Sequence, residues 1–144
     1  MKQTQLIPAI GLAAIVAMSG YHVAQLAAQG LPAGADLSNA ATVELRDAQG
    51  AAVLRGQFAA VESTDGEQER HAALGPAGAD TDAAGEAEVE VSRSSAGVLQ
   101  QEVEIEVSNV APNATWTLVI DGNTVGTLTS DSKGHGELEI ESGS

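Results

Sequence analysis

From about residue 42 onward, apolar and polar residues alternate along most of the chain, and a period of two marks a strand with one face buried. The clearest runs are Glu86-Ala87-Glu88-Val89-Glu90-Val91 and Glu102-Val103-Glu104-Ile105-Glu106-Val107. Each sets three Glu on one face and three apolar residues on the other. Ser94-Ser95-Ala96-Gly97 between them reads as the turn. Thr42–Arg46 places Val43 and Leu45 opposite Glu44, and Ala52–Phe58 returns with Leu54 and Phe58 opposite Arg55 and Gln57. Asp47-Ala48-Gln49-Gly50, with Asp early and Gly last, makes a hairpin of the two. Near the C-terminus, Ala114–Ile120, Thr124–Thr129 and Glu137–Ile140 read as three short strands of a meander. The Asp121-Gly122-Asn123 turn between the first two is a strong hairpin signal.

Residues 62–85 fit two patterns. Thr64-Asp65-Gly66-Glu67 matches a helix capping box. Gln68–Leu74 is then a short helix stopped by Gly75-Pro76, or equally a strand with Arg70, Ala72 and Leu74 on one face. Residues 78–85 read as loop. Short strands broken by Gly, Asp and Asn turns predict an all-β fold. The expected architecture is a small antiparallel β-sandwich of six to eight strands over residues 42–144, with an open β-barrel as the alternative.

The C-terminal run from Val110 to Glu141 resembles the end of small secreted bacterial β domains. These share an aromatic strand, a D/N-G turn, a V-G-T strand, a T-x-D-x-x-G-x-G turn and a closing strand. Here Trp116, Asp121-Gly122, Val125-Gly126-Thr127, Asp131, Gly134 and Gly136 carry the pattern. It spans about a quarter of the chain that follows the leader. The resemblance implies a β fold and brings no catalytic activity and no site residue with it.

The N-terminus departs from the alternation. Lys2 is the only charged side chain before Asp36, the apolar run Leu6–Met18 follows it, and small residues come next. A basic start, apolar centre and small-residue exit read as a signal peptide over residues 1–28. Cleavage fits after Ala28 or after Gly30. The alternative is an uncleaved anchor, since a span needs about 20 apolar residues. Either way the domain is expected outside the cytoplasm, secreted or periplasmic, and a cleaved leader leaves no transmembrane segment. Residues 29–41, rich in Pro, Gly and Ala, read as a flexible lead-in. The chain has no Cys, which excludes disulfides and a cysteine-linked lipid anchor and suggests a bacterial source.

Charge narrows the choice of partner. Beyond the leader, Arg46, Arg55, Arg70, Arg93 and Lys133 face 20 acidic residues, a net −15. Such a field repels phosphate backbones and anionic membranes, which argues against nucleic acid. The core must be built mainly from Ala, Val, Leu and Ile, because Phe58 and Trp116 are the only aromatics after the leader. Trp116 alternates with Thr115 and Thr117, as a core residue would.

The densest chemistry is the ladder Glu86, Glu88, Glu90, Glu102, Glu104 and Glu106. If its two strands pair, six carboxylates share one sheet face open to water. Neighbours along a strand lie about 6.6–7 Å apart, so diffuse attraction of cations is expected over a tight calcium cage. Asp131–Glu137 has the look of a calcium loop, but Lys133 stands at a would-be ligand position and the D-x-[DN]-x-[DN]-G order is missing. Asp80-Thr81-Asp82 reads as an ordinary acidic loop. His71 beside Glu67, and His135 beside Asp131, read as exposed loop histidines. No G-x-S-x-G and no H-E-x-x-H motif accompanies them. The sequence therefore predicts no enzyme, no cofactor and no fixed metal site. It suggests an exported β module that meets an unknown protein or envelope partner, or else a cation-responsive module using the Glu face.

Overall fold

The computed structural model describes residues 29–142. The expected signal peptide, residues 1–28, lies outside them. Among the described residues ten strands occur: β1 Gln29–Gly30, β2 Thr42–Arg46, β3 Ala52–Gln57, β4 Glu62–Thr64, β5 Glu67–Pro76, β6 Ala84–Arg93, β7 Leu99–Ser108, β8 Thr115–Ile120, β9 Asn123–Thr129 and β10 Gly136–Glu141. None of the described residues is helical.

The strands form one sheet in the order β1-β10-β7-β6-β5-β3-β2-β8-β9, with β4 added to β5. All neighbours are antiparallel except β1 with β10. The sheet rolls up until β9 and β10 meet. The fold is therefore all-β and a nearly closed barrel rather than two separate stacked sheets. It still has two broad halves, because β3 joins β5 through only Leu54↔Pro76 and Arg55↔Gly75.

Alternation decides which residues line the inside. Val43, Leu45, Leu54, Val89, Val103, Ile105, Val107, Leu118, Leu128 and Ile140 are essentially sealed from solvent. This apolar interior with charged residues outside inverts the pattern of a membrane-spanning barrel, whose outer band is apolar. No described helix is long and apolar enough to cross a membrane.

Two plugs close the ends. At one end Trp116 is buried, and its Nε1 donates to the buried Ser130 Oγ at 3.2 Å. At the other, residues 31–41 cross the opening. Leu37 and Ala40 are buried there. The Leu37 amide donates to Gln101 Oε1 at 2.6 Å, and Gln101 Nε2 donates to the Ala35 carbonyl at 2.8 Å. Residues 31–41, read as a flexible lead-in, thus carry side chains of the core. Pro and Gly hid that, because an aperiodic strap signals burial only through what it packs against.

Two further expectations resolve in the structure. Residues 68–74 are strand, with Ala72 and Leu74 inside. Asp65 and Gly66 have positive φ (51° and 88°), like Asp121 and Gly122 (49° and 82°). Both pairs are hairpin turns, so Thr64–Glu67 caps no helix. The expected three-strand meander stops at two, since β8 pairs β9 but β10 pairs β7.

Candidate functional site

The placement of β10 beside β7 creates the most charged feature of the molecule. Outward residues of β4, β5, β6, β7 and β10 line up across the strands. One row is Glu62, Glu69, Glu90, Glu102 and Glu141. The next is His71, Glu88, Glu104 and Glu139, and the third is Ala73, Glu86, Glu106 and Glu137. The rows hold five, three and three carboxylates, eleven in all, on strands about 4.7–4.9 Å apart.

All six Glu of the sequence ladder lie on this face. Glu62, Glu69, Glu137, Glu139 and Glu141 join them and were not anticipated. The signal for three of these was present: Gly136–Glu141 alternates just as the two ladder strands do. Nothing local in the sequence tells which strand it pairs with.

The face is less open to water than two strands alone would leave it. Glu86 and Glu106 are exposed, but Glu88, Glu90, Glu102 and Glu104 are half-buried. Burial, together with neighbouring carboxylates, pushes Glu102 and Glu104 above the usual Glu range. Glu88 is raised by burial too, against the pull of His71. Burial, then a hydrogen bond to Glu88 and repulsion from Glu67, Glu88 and Glu69, push Glu90 up to about 7. Screening alone does not disperse the repulsion here; burial and crowding raise the proton affinity of these carboxylates.

His71 sits on β5, not in a loop, and its partner is not Glu67. Its Nε2 meets Glu69 Oε1, and its Nδ1 lies 3.4 Å from Glu88 Oε2. Ligand atoms of Glu69, His71 and Glu88 lie within 4.8 Å of one another, as do those of Glu102, Glu139 and Glu141. Spacing along a single strand suggested looser sets, but the third ligand comes from a neighbouring strand. Carboxylates projecting from regular strands attract cations; they lack the irregular backbone carbonyls that complete a calcium shell.

The acidic loops behave as turns. Asp131 Oδ1 accepts the Lys133 amide at 2.8 Å and the His135 amide at 3.0 Å, and these bonds hold its carboxyl below the usual range. Asp80 Oδ1 accepts the Asp82 amide at 3.3 Å. The opposite half of the barrel carries a compensated charge group. Glu44 accepts from Arg46 Nε and Nη2 (2.8 and 2.6 Å) and from Arg55 Nε (2.8 Å), which lowers its pKa. Glu44 is therefore neutralised by two arginines, whereas the carboxylates of the acidic face stand mostly against one another.

Comparison with known protein families, with characterised proteins and with solved structures finds no match. The site itself defines the class: a small β-barrel with a polycarboxylate outer face.

Proposed function

We propose that this protein is an exported, non-enzymatic β module that works through its polycarboxylate face, attracting cations and docking a basic surface of an envelope or extracellular partner. The observation that carries this reading is the eleven-carboxylate lattice on β4–β5–β6–β7–β10. Like charges directly opposite each other destabilise a sheet, so a lattice of this size lowers stability. A complementary surface would recover that energy on binding. No partner is named by this chemistry beyond its positive charge.

The test is binding of a polylysine-coated surface by the wild type and by the triple variant Glu88→Gln, Glu104→Gln, Glu139→Gln. Binding should weaken with sodium chloride and fall sharply in the variant. Equal binding by both proteins would overturn the reading.

A second reading, a calcium-responsive module, draws on the convergence of Glu102, Glu139 and Glu141. It predicts a saturable, calcium-selective rise in melting temperature at fixed ionic strength. Calcium at one hundred times its Kd would add about 2.7 kcal/mol. The diffuse reading predicts that calcium and magnesium act alike.

A further inference from the structure

A cleft of about 490 Å³ lies beside the strap that closes one barrel end, well within the range of small-molecule sites. It is lined by residues 39–42 and 57–60, which pair with each other, and by Arg70. In a chain with 20 acidic residues, none of the lining residues is acidic. We propose that this cleft binds a small organic monocarboxylate with a short apolar tail.

The walls are held in place by the backbone. The Phe58 amide donates to the Ala41 carbonyl at 2.9 Å, and the Ala59 amide to the His71 carbonyl at 2.8 Å. The nearby Asp121 carboxylate is occupied, accepting the Ala41 and Thr42 amides at 3.1 and 2.8 Å. Arg70 supplies the charge. Its Nη2 donates to the Ser38 carbonyl at 3.0 Å. No carboxylate among the described residues lies within ion-pairing distance of it. A guanidinium carries five N–H donors in a fork that matches a carboxylate. One anchored nitrogen therefore orients the group and leaves donors for a ligand.

The ligand class follows from the rest of the lining. One cation balances one negative charge, which favours a monocarboxylate over a phosphate dianion. The half-buried Phe58 ring and the Ala methyls suit an apolar tail. Arg70 lies between Glu69 and His71 on β5, and alternation puts its side chain on the opposite side of the strand from the acidic rows; what repulsion remains is screened over about 8 Å at physiological salt. The site shares β5 with the acidic face but is lined by none of its carboxylates.

The experiment is an amide-resolved NMR titration of the protein with butyrate, benzoate, butyramide and phosphate. Butyrate and benzoate should shift the amides of Phe58, Ala59, Ala60 and Arg70 saturably, and butyramide and phosphate should not. Arg70→Gln should weaken butyrate binding by about tenfold or more, the usual weight of a charged hydrogen bond. Because Arg70 also holds the strap, Ala60→Phe is the second variant; it fills the cleft, keeps Arg70, and should abolish binding. Absence of saturable shifts, equal affinity for butyramide or phosphate, or unchanged binding by Ala60→Phe would each overturn the proposal.

Discussion

Trp116 is the largest side chain closing the barrel, and its indole nitrogen is tied to Ser130, whose hydroxyl in turn donates to the Ala111 carbonyl at 2.6 Å. Trp116→Ala empties an aromatic core site and should cost about 3–5 kcal/mol. That is a large share of the about 5–15 kcal/mol expected for a domain. Denaturant melts of wild type and variant measure it, and a loss below about 1 kcal/mol would place the ring at the surface. Gly56 is decided by close approach instead. A Cβ there would lie 2.5 Å from the Ala73 carbonyl oxygen on β5, a backbone atom that cannot rotate away. Gly56→Ala should therefore cost about 1–3 kcal/mol by overpacking, read from the same melts. The sequence announces Trp116 through its flanking threonines. It says nothing of Gly56, because the atom that excludes a methyl belongs to a strand 17 residues away.

At the scale of elements, the seam between β9 and β10 has an unusual closure. β1 pairs with β10 through Gln29↔Ile140 and Gly30↔Glu141. Across the gap, the Gln29 side chain does the work of a strand. Its Nε2 donates to the Thr127 carbonyl at 2.6 Å, and its Oε1 accepts the Thr127 amide at 2.9 Å. Gln29→Ala should lower stability by about 1–3 kcal/mol for two bonds and speed hydrogen exchange at the Thr127 amide. Unchanged exchange there would mean the latch does not hold the seam. The same latch separates the two cleavage positions read from the leader: cutting after Gly30 would remove β1, whereas cutting after Ala28 keeps it. If residues 1–28 act as the proposed leader, N-terminal sequencing of the exported protein should begin at Gln29; Leu31 as the first residue would contradict that. Hairpins with short turns were legible in the sequence, β2–β3 and β6–β7 included. The strap, the seam and the β7–β10 pairing were not, since each joins segments separated by 28 residues or more.

For the whole molecule, charge and pH act together. Glu88, Glu90, Glu102 and Glu104 bind protons more tightly folded than unfolded. Where the native state binds more protons, stability falls as pH rises. The fold should therefore lose stability as pH climbs from about 4.5, the ordinary Glu value, toward about 7, where Glu90 titrates. Asp36, Glu44 and Asp131 oppose this at the acid end. Their carboxyls are held low, so their contribution is lost as pH falls below the ordinary values of 3.8 and 4.5. Melting temperature should pass through a maximum between these ranges, and a profile that only rises from pH 4.5 to 8 would refute the raised carboxyls. At neutral pH, sodium chloride should stabilise the protein as the Debye length shrinks from about 10 Å at 0.1 M to about 3 Å at 1 M. Substituting Gln at Glu88, Glu104 and Glu139 should flatten both the pH and the salt dependence.

What the sequence determined by itself is local in origin. A period of two makes strands, Asp-Gly and Gly-rich turns make hairpins, and alternation assigns each side chain to the inside or the outside. Those rules were enough for an all-β fold, for Trp116 in the core and for six Glu on one face. Only the tertiary structure decided that the strands curl into one nearly closed barrel, that β10 lies against β7, and that eleven carboxylates meet in three rows. Strand pairing over long sequence separations depends on how the whole sheet closes around its core, and no window of the chain records that. The half-burial of Glu88, Glu90, Glu102 and Glu104, and the proton affinity that follows from it, are consequences of that closure.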